Sequence, residues 1–222
     1  MEVRVVAARS GAERRRAAAI AADVLRAGGL VVHPTETVYG IGGDGSAANN
    51  RLVARVKRRE PDQPLLLLVP DLEALHASFP ALEWPENAER LAGYFWPGPL
   101  TIVVRCPGAP EGLAGPGDGL AVRISPDPTV ATLLAVWGRP LTSSSANLAG
   151  GEPPRILEGA LEMFSGRDDL IDINVPAVAL DAGTTRGTLP STIVSFVESP
   201  PRLLRRGPVS RRELETWLPE LQ

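Results

Sequence analysis

Lysine occurs once in this chain, at Lys57, within VARVKRREPDQPL (residues 53–65). The 23 lysines plus arginines therefore comprise one lysine and 22 arginines. The two side chains do different chemistry. Arginine is a planar fork that stays charged, whereas lysine is a compact point charge suited to sitting between phosphate oxygens. A drift toward arginine in a chain rich in Ala, Gly, Pro and Arg would leave the same pattern, so both origins stay open. Lys57, Arg58 and Arg59 repel one another and favour an anion. Residues two apart do not share a helix face, but a helix ending ahead of Pro61 would let Lys57 and Arg59 converge on one phosphate. A solvated helix end, where cations meet the C-terminal dipole, is the plain alternative.

Three further groups could bind a polar ligand. In HPTETVYGIGGDG, Thr35, Glu36 and Thr37 offer two hydroxyls and a carboxylate, and Gly40, Gly42, Gly43 and Gly45 permit close backbone approach; a capped turn would look similar. In TSSSANLAGG (142–151), strand alternation nominates Ser143, Ser145 and Asn147 together. Near the C-terminus, Ser191 and Thr192 open one apolar stretch and Arg205 and Arg206 close another. Arg123, inside the apolar run LAVRI, joins them, because a buried guanidinium needs a partner. A ligand carboxylate would serve, as would a structural Asp or Glu. The phosphate loop GxxxxGK[ST] is absent from the sequence.

Composition bounds the chemistry. The 222 residues are 44% hydrophobic and 22% charged, ordinary for a globular protein. A net charge of −3 argues against a surface built throughout for nucleic acid, while leaving room for a local basic groove. One cysteine, Cys106, forms no internal disulfide. With only His33 and His76 beside it, neither a zinc site nor a histidine-based triad is supported, and no metal ligands are nominated. No apolar run approaches the ~20 residues needed to span a bilayer. The N-terminal stretch carries Glu2, Glu13 and Asp23 and lacks a signal-type apolar core, so it reads as part of the fold and the protein as cytoplasmic.

The elements that must position these groups alternate. Strands are expected at 3–7, 30–33, 65–69, 101–105, 120–124, 140–145, 178–183, 191–196 and 202–206. Helices are expected from the Ser10/Glu13 capping box to Gly28-Gly29, and at 46–58, 71–79, 86–95, from Pro128 to Gly138, at 155–165 and at 209–217. Residues 34–45 and 106–119 read as loops. The pattern predicts one α/β domain over 1–222, with a twisted, mixed parallel and antiparallel sheet flanked by helices. Ligands of such sheets bind beyond the carboxyl ends of the strands.

In combination these stretches resemble the YrdC-like family, the threonylcarbamoyl-adenylate synthases. HPTETVYGIG is similar to that family's PTETVYGLG, KRREPDQPL to KGRPxxxPL, and FWPGPLTIVV to FWPGPLT. AVRISPDP, SSSAN, PSTIV and LLRRG resemble VAVRxPxHP, PSAN, ESTVV and ILRPG, in the same order from about residue 30 to 207. The sequence departs from the pattern at Arg58, Glu60, Pro190 and Arg206. By this resemblance it is expected to be a short form, without the extra C-terminal domain of the longer members.

The resemblance implies a concave sheet face that binds ATP, with Mg²⁺, and L-threonine. Threonine and bicarbonate give a carbamate, which attacks the α-phosphate to form threonylcarbamoyl-AMP and pyrophosphate. A partner complex then passes the group to tRNA. On that basis Lys57 and Arg59 serve the phosphates as the catalytic cations, and Ser145, Asn147 and Arg205 hold the nucleotide. Arg123 pairs the threonine carboxylate, while Thr35, Ser143 and Ser191 surround threonine's polar groups. No covalent intermediate is required. The competing readings are a divergent relative without threonine-dependent adenylate synthesis, a relative of the YrdC domain of hydrogenase-maturation carbamoyltransferases, and a module that binds structured RNA. The last is disfavoured by the negative net charge and by an aromatic content of 5%.

Overall fold

The structure, a computed structural model, describes residues 2–222. Its strands are β1 (Val3–Ala7), β2 (Leu30–His33), β3 (Gly40–Gly42), β4 (Leu66–Leu68), β5 (Leu100–Arg105), β6 (Ala114–Gly115), β7 (Gly119–Arg123), β8 (Leu141–Ser145), β9 (Ala177–Asp181), β10 (Thr192–Ser195) and β11 (Arg202–Arg205). Its helices are α1 (Gly11–Arg26), α2 (Ala47–Lys57), α3 (Leu72–Ser78), α4 (Glu86–Phe95), α5 (Pro128–Trp137), α6 (Leu157–Leu161) and α7 (Arg211–Glu215). The strands join one mixed sheet in the order β1-β9-β2-β3-β8-β4-β7-β5-β10-β11, with β6 added against β7. Pairs β1/β9, β2/β9, β4/β7 and β5/β10 are parallel. The mixed α/β architecture expected from the sequence is the one found.

Local chemistry explains the elements. Ser10 accepts from the Glu13 amide while the Glu13 carboxylate accepts from the Ser10 amide, closing the expected capping box on α1. Gly28, at φ 70°, turns the chain out of the helix. Ala17, Ala18 and Ala21 are buried on one stripe with Leu25, so α1 packs closely beside α5 over Val31, Val178 and Leu180. On the opposite face, α2, α3 and α6 cover Val32, Ile41, Leu67 and Val122. A third cluster joins α4 and α7 to Leu100, Ile102, Val104 and Val194.

Four sequence expectations change. Residues 34–45 are not all loop, because 40–42 form β3 between β2 and β8. A three-residue strand with two glycines carries no period-two signal. The glycines serve the sheet: a Cβ on Gly42 would lie 1.6 Å from the Thr142 carbonyl oxygen, and one on Gly43 would lie 1.9 Å from the Asn49 side chain. Both positions therefore answer to protein packing and not to ligand approach. The stretch 106–119 contains β6 and a 3₁₀ turn at Pro116–Asp118. The helix expected at 155–165 shortens to α6 followed by a 3₁₀ turn at Glu162–Phe164, and the last helix shortens to α7.

Candidate active site

The half of the sheet from β8 to β11 has one covered face and one open face. Because side chains alternate along a strand, Leu100, Ile102 and Val104 of β5 enter the core while Thr101 and Val103 face the other way. On β7, Leu120 and Val122 are core residues, and Gly119, Ala121 and Arg123 look outward. On β10, Val194 is core, and Ser191, Ile193 and Ser195 look outward. The outward residues are mostly small, which leaves a cavity of about 540 Å³ walled by the turn after β2, by Arg59, by β8 and by β11.

Seven of the nine residues nominated from the sequence line this cavity: Thr35, Arg59, Arg123, Ser143, Ser145, Ser191 and Arg205. Lys57 and Asn147 do not line it. The Lys57 ammonium is buried behind β8, donating to the Ser145 carbonyl and, at 2.7 Å, to the Asn147 carbonyl. The Lys57 carbonyl in turn accepts from the Ala149 amide at 2.9 Å. The Asn147 side-chain amide donates to the carbonyls of Leu148 and Gly151, at 2.7 and 2.8 Å. Lys57 and Asn147 thus build the loop that carries Ser145. Burial, with Arg59 nearby, pushes the Lys57 ammonium down to about 8.

The three neighbouring cations diverge. Arg58 takes the left-handed conformation at φ 50° as the C-terminal cap of α2 and points away, 3.4 Å from Asp169. That reversal lets the Arg59 amide bond the Ala54 carbonyl at 3.0 Å and turns the Arg59 guanidinium into the cavity. Arg59 is held there by the carbonyls of Gln63 and Pro64 and, at 3.4 Å, by the Ser144 hydroxyl. Its Nε is buried without a hydrogen-bond partner.

Arg123 has its structural carboxylate. Its Nη1 lies 3.3 Å from Glu36 and 3.4 Å from the Thr37 hydroxyl, while its buried Nε has no partner. The sequence marked Glu36 only as one carboxylate in a polar turn; its pairing with Arg123, 87 positions on, is a product of the fold. Ser125 steadies Glu36 from behind with a 2.5 Å hydrogen bond. Arg205 donates from Nε to the Ser191 carbonyl and from Nη2 to the Ser191 hydroxyl, at 2.9 and 3.0 Å. Ser191 shares a 2.7 Å hydrogen bond with Thr101. The Thr35 hydroxyl donates to the Val38 carbonyl at 2.7 Å and closes the turn after β2.

Burial lowers the pKa of Arg123 and of the half-buried Arg59, so a bound anion would relieve dehydrated charge there; Arg205, more exposed, is also lowered, by its partial burial and by the charge of Arg123. Four arginines and one glutamate line the cavity, a local excess of three positive charges in a chain whose net charge is −3. The remaining pair are Arg202 and Glu198, which with Ser144, Tyr39 and Leu204 were not nominated from the sequence. His33 is no base: burial pushes its imidazole down to about 4, and Nδ1 donates to the Pro34 carbonyl. No three His, Cys, Asp or Glu side chains converge on a metal-sized site among the described residues.

Fold and site together define a mixed α/β protein whose open sheet face is shaped for an anionic ligand bearing several hydrogen-bonding groups. The chain belongs to the Sua5/YciO/YrdC family, whose family model, described as telomere recombination, matches residues 23–207. It is 36% identical over 207 residues to a threonylcarbamoyl-AMP synthase of Pyrococcus abyssi, covering 91% of this chain and 57% of that one. It is 40% identical over 166 residues to the same-named protein of Xanthomonas oryzae pv. oryzae, covering 72% and 87%. The solved structure of P. abyssi Sua5 complexed with L-threonine superposes with a TM-score of 0.82 at 33% identity, over 100% of this chain and 63% of that chain. The chain thus spans little more than half of the Pyrococcus relative and most of the Xanthomonas one.

Proposed function

We infer that this chain, acting as one domain over residues 1–222, is a nucleotidyltransferase that makes L-threonylcarbamoyladenylate and pyrophosphate from L-threonine, bicarbonate and ATP. The observation that carries the reading is a pair of cationic stations in one cavity, Arg59 and Arg123, each with a buried Nε lacking a partner. An amino-acid carboxylate suits Arg123, which Glu36 already holds in place. Thr35, Ser143 and Ser191 then face the amino and hydroxyl groups of threonine.

The amine of threonine and bicarbonate combine to a carbamate with loss of water. A carbamate oxygen attacks the α-phosphorus, the bond to the bridging oxygen breaks, and pyrophosphate leaves. Negative charge grows on the departing oxygens, so positioned cations supply the catalysis and no side chain need form a covalent bond. Arg59 and Arg205 face the nucleotide directly. Lys57 acts from behind the cavity: its ammonium, on the Ser145 and Asn147 carbonyls, fixes the loop that carries Ser145 and adds positive charge beside the phosphates. Mg²⁺ would enter as part of the nucleotide, chelated by its phosphates. Transfer of the product group to tRNA would require a partner complex, in the cytoplasm.

The test is pyrophosphate release from ATP and Mg²⁺, with and without threonine and bicarbonate, for the parent and for Arg59→Ala. Release that needs both co-substrates and falls at least tenfold in the variant supports the reading. Release indifferent to threonine would favour a divergent adenylate-forming relative, and ATP binding without release would leave a nucleotide-binding module.

A further inference from the structure

We propose that Arg167 is a positioning residue for the nucleotide end of the cavity, although it lies outside it. This rests on the functional reading above. Arg167 sits between the 3₁₀ turns at Glu162–Phe164 and Asp168–Leu170, with its side chain 4% exposed. A guanidinium has five N–H donors, and here all five are engaged. Nη1 donates to the carbonyls of Val56 and Met163 at 2.8 and 3.0 Å. Nη2 donates to the Arg55 carbonyl at 3.2 Å and to Asp169 at 2.6 Å, and Nε donates to the other Asp169 oxygen at 2.7 Å.

The targets identify the role. Arg55 and Val56 belong to the last turn of α2, where carbonyls run short of amide partners; among backbone amides, the Arg55 carbonyl accepts only from the cap amide of Arg58, at 3.2 Å. Arg167 caps them with a buried positive charge, the favourable sign at a helix C-terminus. Asp169, whose carboxyl Arg167 holds well below the usual range, also meets Arg58, and its carbonyl accepts from Arg55. Arg55 pairs with Asp172 at 2.8 Å as well. Residues 163–172 therefore form a clip around the end of α2.

The next residue on α2 is Lys57, which is tied to the 145–149 loop by two ammonium bonds and one backbone bond, and two positions further is Arg59. The clip thus fixes the helix end from which Lys57, which holds the Ser145 loop, and Arg59, which enters the cavity, both leave. A lysine at 167 could not reproduce it, since three donors on one nitrogen cannot match a fork and a two-carbonyl cap together. Thr35, Arg123 and Ser191 stand on the turn after β2, on β7 and just before β10, and none of Arg167's five hydrogen bonds goes to them. Its loss should therefore weaken nucleotide binding and spare threonine binding.

The experiment measures separate dissociation constants for Mg·ATP and for threonine by calorimetry, in the parent, Arg167→Met, Arg167→Lys and Asp169→Asn. Arg26→Met, which breaks the exposed Arg26–Asp23 pair, is the control. The expected result is a Kd for ATP raised about tenfold or more in Arg167→Met, since small displacements of positioning groups carry effects of that size. The threonine Kd should stay within about twofold. Amide exchange at Ala149 should accelerate while that of α5 does not. Unchanged ATP binding, or equal loss of both ligands, overturns the proposal. Should Arg167→Met not fold, the two milder variants carry the same comparison. If the parent itself binds no ATP, the functional reading fails, and exchange at Ala149 still decides whether the clip holds the loop.

Discussion

At the scale of single residues, Lys57 links protonation to binding. Burial brings its ammonium to about 8, against an ordinary 10.5. In the unfolded chain the amine keeps its proton up to the higher value, so the folded chain binds fewer protons between the two. Its burial therefore costs stability in full below pH 8, and that cost fades as pH rises from 8 to 10.5. Ligand binding has the opposite dependence. The charged form is the stronger donor to the Ser145 and Asn147 carbonyls, so it holds the Ser145 loop more firmly, and its charge behind that loop favours a bound phosphate. ATP affinity should accordingly be level below pH 8 and weaken by about tenfold from pH 7 to pH 9, the loss set by one proton with that pKa. Calorimetric titrations at several pH values would show it, and Lys57→Arg, which keeps its charge throughout, should give a flat profile. Parallel profiles for the two proteins would remove Lys57 from the pH dependence.

At the scale of elements, the end of α2 holds two of the four departures from the family pattern, Arg58 and Glu60, and the first poses a backbone problem. Arg58 occupies a left-handed position at φ 50°, where a residue without a Cβ is unstrained. Glycine follows the lysine in the pattern KGRP. Arg58→Gly should raise the thermal midpoint by a few degrees, relieving about 1 kcal/mol of strain against the loss of an exposed pair with Asp169 worth less than that. Scanning calorimetry would detect it, and a lowered midpoint would mean that the Asp169 pair outweighs the strain. This element also shows what the sequence discloses. The existence of α2, its end before Pro61 and the outward serines of β8 follow from caps, breakers and alternation. The direction of each cation after the helix does not, because one left-handed residue reverses the chain there. Nor does β3, whose glycines answer to Thr142, Ser143 and His33 on the neighbouring strands, or the Arg123–Glu36 pair, formed only when β7 and the turn after β2 meet. Arg167 lies in RDDL, a segment with no periodic pattern, so its cap on α2 is visible only in the fold.

At the scale of the whole molecule, net charge and local charge have opposite signs, and this separates a nucleotide site from a nucleic-acid surface. A chain of net charge −3 repels a polyanion at long range, while four arginines at one cavity attract a compact anion once it has entered. A ligand that binds only the folded state raises stability by RT ln(1 + [L]/Kd), about 2.7 kcal/mol at a hundredfold excess over Kd. Mg·ATP should therefore shift the melting temperature upward in proportion to the logarithm of its concentration, with threonine adding a further shift. Structured RNA at matched phosphate concentration should add little. The salt dependence discriminates further. A duplex-sized contact neutralising many phosphates would lose affinity steeply between about 50 and 200 mM salt, whereas a concave site that contains the buried Arg123 and half-buried Arg59 is screened less. A steep salt slope together with protection by RNA and none by ATP would reverse the assignment. A shallow slope with protection by ATP alone would locate the binding energy in the cavity and not in the surface around it.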